Sequence, residues 1–259
     1  EVICENAVCG VLTMELKNPG MYGRIIRDLD GCLVRIVEAK DAAKEVLAVR
    51  EVNSGIYCVE KNWLFETLAV LTPGNKQKEY YLTDIVAITQ EVGDKIDAIK
   101  VRQSVGFGVN TQGELARATR KLFARKANAL MEEGVLMIDP KTTYVEEDVV
   151  VGPGTVLYPG VYLRGRTRVG AYCMIEPGCY LAHTQLEDGV HVKAYSYFEN
   201  TIVREKATVG PFSRLRPDTE IGPEAHVGNF VEMKKVKFGA RSKAGHLTYL
   251  GDATVGEDV

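Results

Sequence analysis

Several things are scarce or missing in this chain of 259 residues, and each absence excludes something. No apolar run approaches the roughly 18 residues of a membrane span. The chain opens on Glu1, with Asp, Glu and Lys scattered from the start, so no secretory signal is expected. The six cysteines, at 4, 9, 32, 58, 173 and 179, have no paired CxxC spacing, which removes the usual zinc motifs. A reduced, cytoplasmic protein is expected. Basic excess is lacking too: the net charge is -3, so neither nucleic acid nor a membrane surface is an expected partner. Only four histidines are present, at 183, 191, 226 and 246. They could be set against the metal ligands of β-helical carbonic anhydrases, but the spacing matches poorly.

What the chain has instead is a count of six. Val145, Val151, Leu157, Leu163, Val169, Ile175 and Leu181 follow one another at that interval. Small companions sit two places earlier: Val149, Thr155, Val161, Thr167, Cys173 and Cys179. After an irregular passage the count resumes through Val203, Val209, Leu215, Ile221, Val227 and Met233. A helix places apolar residues every three or four, and a strand every two. A bare period of six reads as a hexapeptide repeat, a parallel β-helix of short stacked strands.

Up to Val135 no such count appears. Strands are expected over 11–16, 52–59 and 98–102, with a hairpin of two runs around Asp30-Gly31. Helices are expected over 62–70 and 83–91. Thr111 and Glu114 form a capping box that opens a long helix, closed by Gly134, with a buried stripe through Leu115, Leu122 and Ala129. Strands alternating with helices make this an α/β region. Asn110, Asn53 and Glu38 lie where such sheets hold ligands, outside strand ends, though each also fits a turn.

In the repeat region, three hexads make one coil, so residues three hexads apart stack. Arg216 and Lys234 are such a pair, each just after an inward aliphatic. Two cations at that spacing repel, and a shared anion such as phosphate relieves the repulsion. A solvated basic face, extended by Lys235 and Lys237, explains them equally well. His246 lies close to the point where the count slips to five, between Met233 and Phe238. An imidazole beside a cationic patch suits a general base near neutral pH, although a lone histidine is often structural.

Longer motifs carry a resemblance. They are Gly210-Pro-Phe-Ser-Arg-Leu-Arg-Pro217, His226-Val-Gly-Asn-Phe-Val-Glu-Met-Lys-Lys235 and Ser242-Lys-Ala-Gly-His-Leu-Thr-Tyr249. In the α/β region they are Tyr22-Gly-Arg24, Val37-Glu-Ala-Lys-Asp41, Glu51-Val-Asn-Ser-Gly55, Tyr80-Tyr-Leu-Thr-Asp84 and Gly108-Val-Asn110. Together they resemble the bifunctional N-acetylglucosamine-1-phosphate uridyltransferase/glucosamine-1-phosphate N-acetyltransferase family of bacteria. The resemblance implies that residues 1–136 are the C-terminal part of a sugar-nucleotidyltransferase α/β domain of Rossmann type. It implies that residues 137–259 are a truncated left-handed β-helix acetyltransferase domain, assembling as a homotrimer.

It also implies roles. His246 matches the catalytic base toward acetyl-CoA, Arg216 and Lys234 the holders of the sugar phosphate, and Tyr249 a further substrate contact. Gly23, Glu38 and Asn53 match contacts to the UDP-sugar, and Asn110 a Mg2+ ligand. The product, UDP-N-acetylglucosamine, feeds bacterial envelope polymers. The Gly-rich phosphate loop that opens the family is not found, nor are its last coils. The chain is thus expected to be an internal fragment that does not form UDP-N-acetylglucosamine from UTP. The alternative is a catalytically silent scaffold with a nucleotidyltransferase-like region and a hexapeptide tail.

Overall fold

The computed structural model describes residues 7–259 apart from 104, 107 and 110. Two compact units divide the chain, residues 1–115 and 116–259.

The first unit is a five-stranded mixed sheet. Its strands are β1 (Ala7–Glu15), β2 (Arg24–Arg27), β3 (Leu33–Val37), β4 (Glu51–Val59) and β5 (Lys95–Lys100). Their order is β3-β2-β4-β1-β5. β1 runs parallel to β5 and antiparallel to β4, and β2 pairs antiparallel with β3 and β4. The hairpin forms at the expected turn, where Gly31 takes a φ of 83° that a side chain resists. β5 starts at Lys95, ahead of the expected position at Ala98. The helices are α1 (Lys44–Leu47), α2 (Lys61–Ala69) and α3 (Ile85–Val92). Glu60 caps α2 by accepting from the amides of Asn62 (3.0 Å) and Trp63 (2.6 Å). α3 ends on left-handed Gly93. Cys9, Val11, Ile25, Leu33, Ile36, Ile85 and Val86 form the core, with Trp63 at its edge.

The long helix α4 (Gln112–Glu132) opens on the expected box. The Thr111 amide donates to Glu114 Oε2 at 2.9 Å, and the Glu114 amide to Thr111 Oγ1 at 3.2 Å. Its expected stripe does not hold. Leu115 is 48% exposed and Leu122 53%, whereas the buried residues are Ala127 and Leu130. Helical spacing identified a stripe but not the width of what it packs on. Leu130 enters the solenoid core, and Phe123, half-buried, meets the rings of Tyr144 and Tyr162.

From Leu136 onward the chain is a parallel β-solenoid of the left-handed hexapeptide type. Three faces run its length, and seven strands stack on the third. Down the first face Leu163, Leu181, Phe198, Leu215 and Met233 lie directly above one another. All are fully buried, as are the small companions. Each aliphatic contributes roughly 1.5–3 kcal/mol of burial, and successive coils repeat it. Corners turn on residues of positive φ, among them Tyr195, Phe212, Phe230 and Leu247 down one edge.

The passage that looks irregular in sequence is regular in space. Leu186, Val192 and Phe198 continue the inward set, with a step of five from Leu181 to Leu186 and again from Phe198 to Val203. The step from Met233 to Phe238 is the same event at the same corner, between the first and second faces. Coil length is therefore not constant, and some coils are one residue short of three hexads. Tyr162 lies on Tyr180 across a full coil, but Tyr180 lies on Tyr197 across a short one. The phase is restored before His246, which sits in regular register opposite Asn229.

Candidate active sites

In the first unit, β2, β3 and β4 bring three of the expected residues together. The Asn53 amide donates to the Gly23 carbonyl at 2.9 Å. A Cβ at Gly23 would lie 3.3 Å from Glu38 Oε1 and 3.0 Å from Ile36, so only glycine leaves that space open. Glu38 follows β3 and accepts from Thr83 Oγ1 at 3.2 Å. Asn53 stands in β4 beside a bulge around Gly55, whose φ is 79°. Its Nδ2 donates to Tyr57 Oη at 2.8 Å. Burial pushes the Tyr57 phenol up to about 12, so it stays protonated.

The loop after β5 approaches the same place. The Gly108 amide donates to Tyr22 Oη at 2.9 Å, and Gly106 packs on Ser54 and Met14. Asn110 itself lies outside the described residues, and β5 ends well before it, at Lys100. Among the described residues, no three His, Cys, Asp or Glu side chains converge as metal ligands. Composition gave no sign of Arg24, which is 3% exposed. Its guanidinium donates to the carbonyls of Tyr22 and, at 2.9 Å, Gly20, holding the loop before Gly23 in shape.

In the second unit, Arg216 and Lys234 follow the paired residues Leu215 and Met233, and the Arg216 amide donates to the Met233 carbonyl at 2.8 Å. Their coil keeps all three hexads, so the two cations stand one above the other. Lys234 is paired in turn with Gly251, and Glu232 with Tyr249. Arg216, Glu232, Lys234 and Tyr249 thus occupy one stripe of the first face. His246 ends the strand Lys243–His246 on the third face. The left-handed Leu247 then turns the corner, and Tyr249 follows on the first face. His246 and Tyr249 are both exposed.

Sequence reasoning missed Glu232. Its Oε1 accepts from Arg216 Nη1 at 3.0 Å, so the basic stripe contains its own counter-charge. Counting by coils could have found it, since Glu232 stacks between Arg214 on one side and Tyr249 on the other.

Residues 148–183 match the family described as bacterial transferase hexapeptide (six repeats). The chain is 53% identical, over 98% of its length, to the bifunctional protein GlmU of Bdellovibrio bacteriovorus. Identity is 47% over 96% of the chain for the GlmU of Anaeromyxobacter sp. strain Fw109-5, and 43% over 98% for that of Pelobacter propionicus. The chain is a relative of the bifunctional GlmU proteins. It spans about half of their length: 56%, 51% and 56% respectively. The similarity to GlmU covers both units, so each candidate site falls inside it. No helix among the described residues is long and apolar enough to cross a membrane.

Proposed function

We propose that this chain carries parts of two active sites of UDP-N-acetylglucosamine synthesis. One transfers acetyl from acetyl-CoA to glucosamine 1-phosphate; the other transfers uridylyl from UTP to N-acetylglucosamine 1-phosphate. The single observation behind the first is the stacked pair Arg216 and Lys234, one corner away from His246. Two aligned cations fit a phosphate, with Arg216 offering a fork and Lys234 a point charge. Tyr249 extends from the next coil as a further sugar contact.

In this reading neutral His246 accepts a proton from the sugar amine as its nitrogen attacks the thioester carbonyl. A C–N bond forms, the C–S bond breaks, and coenzyme A leaves as the thiolate, which regains a proton. The base matters because an ammonium has no lone pair with which to attack. A homotrimer with cytoplasmic location belongs to the same proposal. The trimer is supported by the exposed edge of stacked rings Tyr195, Phe212 and Phe230, a contiguous apolar stripe of the kind that partner surfaces cover.

For the second site, the cleft of Gly23, Glu38 and Asn53 offers a glycine gap, a carboxylate and an amide to a sugar's hydroxyl groups. Mg2+ at Asn110 rests on the similarity alone. A bound ion would neutralise phosphate charge; the described residues would only shape the sugar end. The scaffold reading is not favoured, because relatives matching across nearly all of the chain are named bifunctional. The deciding experiment is an acetyl-transfer assay on the full-length protein with glucosamine 1-phosphate and acetyl-CoA. Turnover that ignores loss of His246, Arg216 or Lys234 would defeat the assignment.

A further inference from the structure

A cavity of about 950 Å³ lies at the opposite end of the solenoid from His246, between α4 and the first coil. Pockets for small ligands run from roughly 300 to 1,000 Å³ and are apolar with a few convergent polar groups. This one fits that description. Phe123, Ala124 and Ala127 form the helix side, and Tyr144 the coil side, with Phe123 and Tyr144 meeting edge to face at 5.3 Å. The turn at the rim is braced by Asp139, which accepts from Thr142 Oγ1 at 2.9 Å and from the Lys141 amide at 3.0 Å.

The charge lining this cavity is positive, and the Asp139 carboxylate at its rim is taken up by its own turn. Arg120 and Lys141 line it, and among the described residues no acidic side chain does. Elsewhere on the solenoid surface, cations such as Arg164, Arg204 and Arg241 are each held by a carboxylate at 2.8 Å or less. Arg125, a turn along α4, pairs with Glu147 at 3.3 Å. An apolar chamber gated by two cations is complementary to a small amphipathic anion. We propose that it binds an organic anion with an aromatic or aliphatic body, the anionic group between Arg120 and Lys141 and the body against Phe123, Tyr144 and Ala124.

Anilinonaphthalene sulfonate, an aromatic anion whose fluorescence rises on burial, is a direct probe in the full-length protein. One saturable site per chain is expected. Arg120→Gln or Lys141→Gln should each weaken it by roughly tenfold, the effect of one hydrogen bond to a charged group. Ala124→Trp, which fills the chamber from the exposed side of α4, should abolish it. Ala129→Trp, on the same helix but outside the lining, should leave binding intact, with helicity by circular dichroism equal in both variants. The neutral dye N-phenylnaphthylamine should ignore both glutamine changes. Binding that survives Ala124→Trp, or that is lost equally in Ala129→Trp, overturns the proposal. So does binding that falls as the protein self-associates, which would mean that a second copy fills the cavity.

Discussion

Arg216 donates from Nη1 to Glu232 Oε1 at 3.0 Å, one coil apart on the same face, while Lys234 stands directly above it in register. The carboxylate makes the stacked cations tolerable before any ligand arrives. In the proposed binding mode, a phosphate between them competes with Glu232 for Arg216.

That geometry makes the two cations interdependent. Arg216→Ala and Lys234→Ala should each weaken glucosamine 1-phosphate binding by about 1.5–3 kcal/mol. The double variant should lose less than the sum, because neither cation alone holds the phosphate in place. Glucosamine without phosphate should be nearly indifferent. A double-mutant cycle by calorimetry on the full-length protein measures this, and strict additivity would return the pair to a solvated face.

His246→Ala should lower acetyl transfer by roughly 10²–10⁴ while changing affinity for the sugar phosphate little. Steady-state kinetics with both substrates varied separates the two effects. A rise in KM with unchanged kcat would show that His246 binds and does not exchange protons.

The solenoid core should be sensitive wherever the stack is broken. Leu215→Ala removes a fully buried side chain between Phe198 and Met233 and should cost roughly 2–5 kcal/mol. Val150→Ala, at an outward position 49% exposed, should stay within about 0.5 kcal/mol. Denaturant midpoints compare them. Equal losses would mean that inward and outward sets are not distinct.

In the first unit, Arg27 clamps Glu51 through contacts of 2.9 and 2.6 Å, and Thr13 Oγ1 donates to the same carboxylate at 2.6 Å. The hydrogen bonds from Arg27 hold the Glu51 carboxyl below the usual range, against the opposing pull of partial burial. A depressed folded value means stability that is complete above the unfolded pKa of about 4.3. That stability is lost as pH falls through the folded value. Urea titrations from pH 6 downward should show the loss, and Arg27→Met should flatten the slope in that range. An unchanged slope would show that Glu51 is not the group responsible.

The period of six determined much by itself: a parallel solenoid, its inward and companion sets, and the stacking of Arg216 on Lys234. Side chains in such a fold meet neighbours one coil away, so sequence distance converts directly into spatial contact. The α/β elements were legible for a similar local reason, since the Asp30-Gly31 turn, Gly93 and the Thr111–Glu114 box act within a few residues. What the sequence left open depended on distant partners. Only the fold decided that the corners turned at His183 and Asn200 drop a residue as the one at Lys235 does, because the strands on either side stay in register with the coils above and below. Only the fold brought Gly23, Glu38 and Asn53 together, joined Glu232 to Arg216, and left Leu115 and Leu122 exposed. Periodicity says which face of a helix is apolar. It takes the packed neighbour to say how much of that face is covered.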